Sequence, residues 1–208
     1  MKTSNKFTLT RVILAPVFFV LYFIPVWTGC LKQASVFVLI PLLGFTEFTD
    51  FLDGFFARKY HEVSDFGKIF DPFADVIVHL TTLCCFMLTG QFEGHAGGYI
   101  PPAVFILIMY REFSMTFLRM VAVKKGVAIA ARKGGKFKTV LYVVTGLYCL
   151  TVECIRRLGC DISGSLSVLM AVAVGLSCAC VAASYISFGD YLLHFKAVFT
   201  ENSSEKKE

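Results

Sequence analysis

Four aspartates stand in two pairs whose spacing suits them to act together. Asp50 and Asp53 are three positions apart, and Asp71 and Asp75 are four positions apart. Residues at either spacing lie on one face of an α-helix. Each pair therefore predicts two carboxylates side by side on a helix, and the short segment between the pairs predicts that the two helices are neighbours. We expect the two acidic pairs to face each other.

Facing carboxylates repel one another unless cations lie between them. Carboxylate oxygens are ligands that suit Mg²⁺ or Mn²⁺, and magnesium usually shares its coordination sphere with substrate phosphates. Two such ions can stabilise the attacking and the leaving oxygen of a displacement at phosphorus. The acids therefore predict a site for two divalent ions and a phosphate ester. In the alternative interpretation they are helix caps, with Asp50 paired to Arg58 and Asp71 preceding Pro72.

A second group of charged residues is basic and consists of Arg111, Arg119, Lys136 and Lys138. Arg111 lies inside an apolar stretch, where a charge is costly and indicates function. Such a group can bind a phosphate through charge-assisted hydrogen bonds, so it predicts a substrate with a further phosphate. In the alternative, these cations anchor the helices or contact anionic lipid headgroups. Glu112 is interpreted as a charge partner of its neighbour Arg111.

The elements that must position these residues are apolar helices. The chain has 208 residues, of which 56% are hydrophobic, and its mean hydropathy is +0.69. About 20 apolar residues span a membrane as a helix. The continuous apolar stretches, which lack the alternation of β-barrel strands, are Val12–Trp27, Ala34–Phe56, Phe70–Thr89, Tyr99–Met120, Phe137–Ile155 and Leu166–Phe188. They predict an all-α fold, an integral membrane bundle of six transmembrane helices.

The distribution of charge predicts how this bundle is oriented. The formal net charge is +5, but the basic residues fall between the apolar stretches, so we expect no nucleic acid as a partner. Most of them lie before the first apolar stretch and in the segments after the second and fourth stretches, on the same side as the acidic pairs, and only Lys32, Arg156 and Arg157 fall on the other side. The positive-inside rule then predicts that both termini and the acidic pairs are cytoplasmic. We expect a single catalytic domain over residues 1–200 and a short charged tail over residues 201–208.

The residues around the aspartates resemble the signature of the CDP-alcohol phosphotransferase family. Eight positions carry the resemblance through fixed residue types at fixed spacing: Asp50, Asp53, Gly54, Ala57, Arg58, Gly67, Asp71 and Asp75. Less specific similarities to the phosphatidylglycerophosphate synthases of that family are Thr8, Arg11, Arg111, Glu112, Arg119 and the segment Lys136-Phe-Lys138-Thr139. The resemblance covers most of the chain.

The family resemblance implies an activity, cofactors and roles for residues. The implied activity is transfer of a phosphatidyl group from CDP-diacylglycerol to glycerol 3-phosphate, with release of CMP. We expect the enzyme to be a homodimer in a bacterial cytoplasmic membrane. Two Mg²⁺ or Mn²⁺ ions would be held by Asp50, Asp53, Asp71 and Asp75. CDP-diacylglycerol would contact Asp50, Gly54, Ala57, Arg58, Gly67 and Asp71. Asp75 would be the general base, and Arg111, Arg119, Lys136 and Lys138 would bind the acceptor phosphate.

Two other functions remain open at this point. Val76 stands where phosphatidylglycerophosphate synthases usually have a lysine, so inositol phosphate, serine or another alcohol is an alternative acceptor. Intramembrane carboxylates also line ion pathways, and a divalent-cation transporter is therefore an alternative from another class.

Overall fold

The chain folds into long α-helices joined by short connections. The computed structural model describes residues 3–59, 65–92, 98–124 and 133–200, and the predicted tail over residues 201–208 lies outside them. Within those ranges the α-helices are α1 (Thr3–Thr28), α2 (Lys32–Lys59), α3 (Asp65–Phe92), α4 (Pro102–Lys124), α5 (Lys133–Arg157) and α6 (Leu166–Thr200), with a short 3₁₀-helix, Ser163–Ser165, before α6. The all-α prediction is confirmed.

The prediction of six membrane spans is not confirmed. Within the described residues, four helices are long and apolar enough to cross a membrane, over Lys6–Thr28, Phe70–Thr89, Phe137–Arg157 and Ser163–Leu193. Helix α4 carries Arg111, Glu112 and Arg119 within its length, and the side chains over the last turns of α2 lie outside the described residues. The bundle also leaves large apolar side chains such as Phe37 and Leu193 exposed, as expected for a surface that faces lipid. The chain is an integral membrane protein.

Two helices end at glycines in the left-handed conformation. Gly29 follows α1 with φ 71°, and Gly159 follows α5 with φ 84°. A residue with a side chain is strained at such angles, and glycine is the usual residue just beyond a helix C-terminus. These two positions therefore define where the chain turns back at one end of the bundle.

Helix α1 is central to the half of the bundle that carries the acidic residues. It packs against both α2 and α3, while α5 contacts α2, α3 and α6, and α4 contacts α3 and α6. Tyr22 of α1 hydrogen-bonds through its hydroxyl to Thr89 of α3 at 2.6 Å, and Thr8 near the start of α1 bonds to Asp71 near the start of α3. Helices α1 and α3 are therefore parallel, and the starts of α1 and α3 meet at one end.

The opposite end is closed by a buried polar cluster, which we call the Glu153 cluster: Tyr99, Glu153, Arg156 and Arg157. Arg157 donates from Nε to Glu153 Oε1 at 2.7 Å, and the Tyr99 hydroxyl donates to Glu153 Oε2 at 2.9 Å. Arg156 Nη1 reaches the same oxygen at 3.2 Å. The cluster joins the end of α5 to the connection between α3 and α4.

Candidate active site

The first turns of α3 present two carboxylates towards α1. Thr8 donates a hydrogen bond from Oγ1 to Asp71 Oδ1 at 2.8 Å. Arg11, one turn further along α1, forms an ion pair with Asp75 through Nη2 and Oδ1. The Arg11 side chain is 3% exposed, but that of Asp75 is 38% exposed. The structure therefore holds Asp75 in place by one oxygen while leaving the side chain accessible.

A buried carboxylate lies at the centre of the basic group. We call the Glu112 cluster the set Arg111, Glu112, Lys138 and Tyr142. Glu112 Oε1 accepts hydrogen bonds from Arg111 Nη1 and from the Tyr142 hydroxyl, each at 2.8 Å. Lys138 Nζ donates to both Oε1 and Oε2 of Glu112, also at 2.8 Å. The prediction that Glu112 pairs with Arg111 is therefore confirmed, and Lys138 shares the same carboxylate.

One cavity joins the Glu112 cluster to Asp75. It has a volume of about 200 Å³, and its walls come from α3, α4, α5 and α6. The charged or titratable side chains that line it are Asp75, His79, Arg111, Glu112, Arg119, Lys138, Tyr142 and Tyr191. A cavity of this size suits a small polar molecule. The predicted base and three of the four predicted phosphate-binding cations therefore line the same cavity.

Arg111 lines this cavity but is used mainly by the protein. Its Nε donates to the backbone carbonyl of Ser184 in α6 at 2.9 Å, and its Nη1 donates to Glu112. The side chain is 2% exposed. Arg111 therefore connects α4 to α6 and holds Glu112, whereas sequence reasoning assigned it to the acceptor phosphate directly.

Several predicted site residues lie where the structure describes the backbone only. Asp50, Asp53, Gly54, Ala57 and Arg58 belong to the last turns of α2, and their side chains are outside the described part of the chain. The same holds for the side chain of Lys136 in α5. Gly67, in contrast, is buried in the first turn of α3. That the two acidic pairs face each other stays a prediction.

The described half of the acidic set fits a divalent metal ion in its chemistry. Asp71 and Asp75 offer hard carboxylate oxygens one turn apart, and Asp75 opens on the cavity. No group of three His, Cys, Asp or Glu side chains that could hold a metal occurs among the described residues. That finding covers Asp71 and Asp75 without their predicted partners on α2, so the two aspartates would supply part of a metal site.

Sequence reasoning noted some of the site residues without giving them a role. Thr8 and Arg11 were recognised as similarities to the family, yet nothing in their spacing showed that they would reach Asp71 and Asp75. Tyr142 was not singled out at all, although it lies one turn after Lys138 on α5, a spacing that places both on one face. His79 was not among the predicted site residues, yet it lines the cavity and contacts the Tyr142 ring, at 5.6 Å between ring centres.

Comparison with known proteins shows which family the chain belongs to. A CDP-diacylglycerol–glycerol-3-phosphate 3-phosphatidyltransferase of Treponema pallidum is 37% identical over 159 residues, which are 74% of this chain and 70% of that protein. One of Bacillus subtilis is 33% identical over 141 residues, 65% of this chain and 69% of that protein. One of Rickettsia typhi is 33% identical over 138 residues, 66% of this chain and 69% of that protein. The match to the CDP-alcohol phosphatidyltransferase family extends over residues 1–181. The chain belongs to the CDP-alcohol phosphatidyltransferase family.

Proposed function

We propose that this enzyme transfers a phosphatidyl group from CDP-diacylglycerol to glycerol 3-phosphate and releases CMP. The observation that carries the proposal is the cavity in which Asp75 faces Arg119 and Lys138. A base for the acceptor hydroxyl and cations for the acceptor phosphate are thereby available within one small space. The relatives named above support the same donor and the same acceptor.

In the proposed reaction the acceptor hydroxyl oxygen forms a bond to the β-phosphorus of CDP-diacylglycerol. The bond from that phosphorus to the bridging oxygen breaks, and CMP leaves with the electron pair. The proton of the hydroxyl passes to a carboxylate oxygen of Asp75, the general base. Arg11 holds Oδ1 of that carboxylate, which orients the side chain towards the cavity.

We assign the donor site to the motif residues. Asp50, Asp53, Asp71 and Asp75 would hold two divalent ions, Mg²⁺ or Mn²⁺, which would neutralise charge on the diphosphate. Asp50, Gly54, Ala57, Arg58, Gly67 and Asp71 would line the CDP-diacylglycerol site. Burial of Gly67 and the hydrogen bond that fixes Asp71 support the α3 part of this assignment. The acceptor phosphate would be bound by Arg119 and Lys138, with Arg111 and Lys136 as the other predicted members.

The proposal extends to the setting of the enzyme. Six membrane-spanning helices, with α2 and α4 crossing beside the four more apolar ones, would place both termini and the cavity on the cytoplasmic side of a bacterial inner membrane. The excess of basic residues near the cavity end supports this orientation. Following the family resemblance, we expect a homodimer that works on membrane lipids.

An acceptor panel tests the proposed function. Purified protein in detergent is mixed with CDP-diacylglycerol, Mg²⁺ or Mn²⁺, and glycerol 3-phosphate, inositol phosphate, serine or glycerol, and CMP release is measured. We expect CMP only with glycerol 3-phosphate and only when a divalent ion is present. No CMP with glycerol 3-phosphate, or faster release with another acceptor, would contradict the assignment. Cation flux in vesicles without CMP release would instead support a transporter.

A further inference from the structure

Among the described residues of the cavity wall, Arg119 and Lys138 differ in how they are held. Lys138 Nζ donates to both carboxylate oxygens of Glu112 at 2.8 Å, and its side chain is 12% exposed. Arg119, by comparison, is half-buried on the cavity wall, and no hydrogen bond or ion pair to it occurs within the described ranges. Arg119 can therefore adjust its side chain when it binds a ligand, whereas Lys138 would bind one from a fixed position.

Glu112 is itself held so that it can fix Lys138. Its Oε1 accepts from Arg111 and Tyr142, and Arg111 is bound in turn to the Ser184 carbonyl of α6. A lysine ammonium has three N–H donors on a flexible four-carbon chain. With two donors bonded to Glu112, one remains, and the ammonium also lies 4.9 Å from the centre of the Tyr142 ring. These linked contacts, from α6 through Arg111 and Glu112, therefore restrict the conformations that the Lys138 side chain can adopt.

The balance of charge in the cavity wall suits a phosphate monoester. Arg111, Arg119 and Lys138 supply three positive charges, and Glu112 removes one. The remaining two equal the charge of a phosphate monoester, close to −2 at neutral pH. Asp75 does not disturb this balance, because Arg11 pairs with it.

We infer that Glu112 is a positioning residue, which holds the ammonium of Lys138 at the cavity wall so that Lys138 and Arg119 together bind the phosphate of the acceptor. The inference rests on the proposed function for the identity of that acceptor. It assigns to a negatively charged residue a favourable part in binding an anion, since a rigid ammonium loses less freedom on binding than a mobile one. Without this arrangement, a carboxylate in the wall would simply repel phosphate.

A double-mutant cycle tests whether Glu112 acts through Lys138. We expect Glu112→Gln to raise the KM for glycerol 3-phosphate about tenfold, the scale of one charge-assisted hydrogen bond, with a smaller fall in kcat and no change in the KM for CDP-diacylglycerol. Lys138→Met should raise the KM at least as much. The double variant should resemble Lys138→Met alone, because removing Lys138 leaves Glu112 nothing to position. Additive effects in the double variant, or an unchanged or lower KM in Glu112→Gln, would overturn the inference.

Glu153→Gln is the matched control, since Glu153 is also buried and bonded to arginine and tyrosine but belongs to the opposite end of the bundle. It should leave the KM for glycerol 3-phosphate unchanged in the protein that remains folded. Equal increases in KM for the two variants would mean that any buried carboxylate matters equally, against the inference.

A binding measurement separates this inference from the proposed function. Glycerol 3-phosphate should protect the wild-type protein against thermal unfolding, and about tenfold more should be needed for Glu112→Gln, as for its KM. Equal protection of the two proteins, or none of the wild type, would overturn the inference even if CMP is released. Absence of CMP release with glycerol 3-phosphate would contradict the proposed function alone, while the protection experiment still decides the role of Glu112.

Discussion

The Glu112 cluster and the Glu153 cluster are built from the same parts at opposite ends of the bundle. Each has a buried glutamate, two cations and a tyrosine hydroxyl that donates to the carboxylate, at 2.8 Å from Tyr142 and at 2.9 Å from Tyr99. The glutamate side chains are 4% and 1% exposed. Their chemistry alone therefore does not separate a structural role from a functional one.

The two clusters differ in the contacts that their cations make besides those with the glutamate. Arg157 uses all three of its nitrogens on the protein: Nε bonds to Glu153, Nη1 to the Ser35 hydroxyl at 2.9 Å and Nη2 to the Tyr22 carbonyl at 3.1 Å. Around Glu112, Lys138 opens on the cavity beside Arg119. Buried charges hold helices together where protein groups satisfy them, and they serve a substrate where a cation still faces a space that a ligand can enter. The predictions that follow test this division.

Asp75→Asn should have the largest effect on catalysis. The amide keeps the shape of the side chain but cannot take up the proton of the substrate hydroxyl. General-base catalysis contributes about 10²–10⁴-fold to a rate. We expect kcat for CMP release to fall by about that factor, while CDP-diacylglycerol still binds. Glu153→Gln, the same change of acid to amide at the other end, provides the comparison. Near-normal turnover in Asp75→Asn would remove the proposed base.

Glu153→Gln should have the largest effect on stability. It leaves Arg157 buried without a counter-charge, and breaking a buried ion pair from one side costs about 3–5 kcal/mol. We expect a clear fall in the thermal unfolding temperature in detergent, while the remaining folded enzyme keeps its kcat and both KM values. A wild-type melting temperature would mean that the Glu153 cluster does not hold the bundle together. A raised KM for glycerol 3-phosphate would remove the division between the two clusters.

Arg119→Met should weaken binding of the acceptor without lowering the stability of the fold. Hydrogen bonds to charged groups contribute about 1.5–3 kcal/mol, so the KM for glycerol 3-phosphate should rise about 10- to 100-fold. Arg156→Met changes an arginine of the Glu153 cluster in the same way and should lower the unfolding temperature with an unchanged KM. The reverse pattern, with stability lost in Arg119→Met and affinity for glycerol 3-phosphate lost in Arg156→Met, would contradict the roles assigned to the two ends.

Much of the site could be predicted because its signals lie within single helices. The spacing of Asp71 and Asp75 and the group of cations on α4 and α5 indicated a shared polar end, and the cavity confirms that Asp75, Arg119 and Lys138 meet there. A pairing such as Thr8 with Asp71 could not be predicted, because it depends on how two packed helices are rotated about their axes. Sequence periodicity shows which residues share a face, but not which neighbouring helix that face meets.

The same limit explains which contacts were not predicted at the other end. Arg156 and Arg157 were interpreted only as charges on the outer side of the membrane, and Glu153 was not considered. Their spacing of three and four positions predicts local pairs, and these exist. The contacts of Arg157 with Ser35 and Tyr22 span 122 and 135 positions of the chain, and no local pattern indicates them. The count of six membrane spans stays a prediction, and in α4 the charged residues of the site lower the apolar character of the helix.

The smallest effects come from removing one hydroxyl at each end, and they give the most closely matched comparison. Tyr142→Phe and Tyr99→Phe each delete one donor to a buried glutamate that keeps its charged partners. Each should cost about 1 kcal/mol or somewhat more, since the acceptor is charged. For Tyr99→Phe we expect that cost only in thermal unfolding. For Tyr142→Phe it should also appear as a KM for glycerol 3-phosphate raised about two- to fivefold, because a less constrained Glu112 holds Lys138 less firmly. The KM is measured by CMP release from the two variants prepared in parallel. An equal KM for glycerol 3-phosphate in both variants would show that Tyr142 stabilises the cavity wall without positioning Lys138.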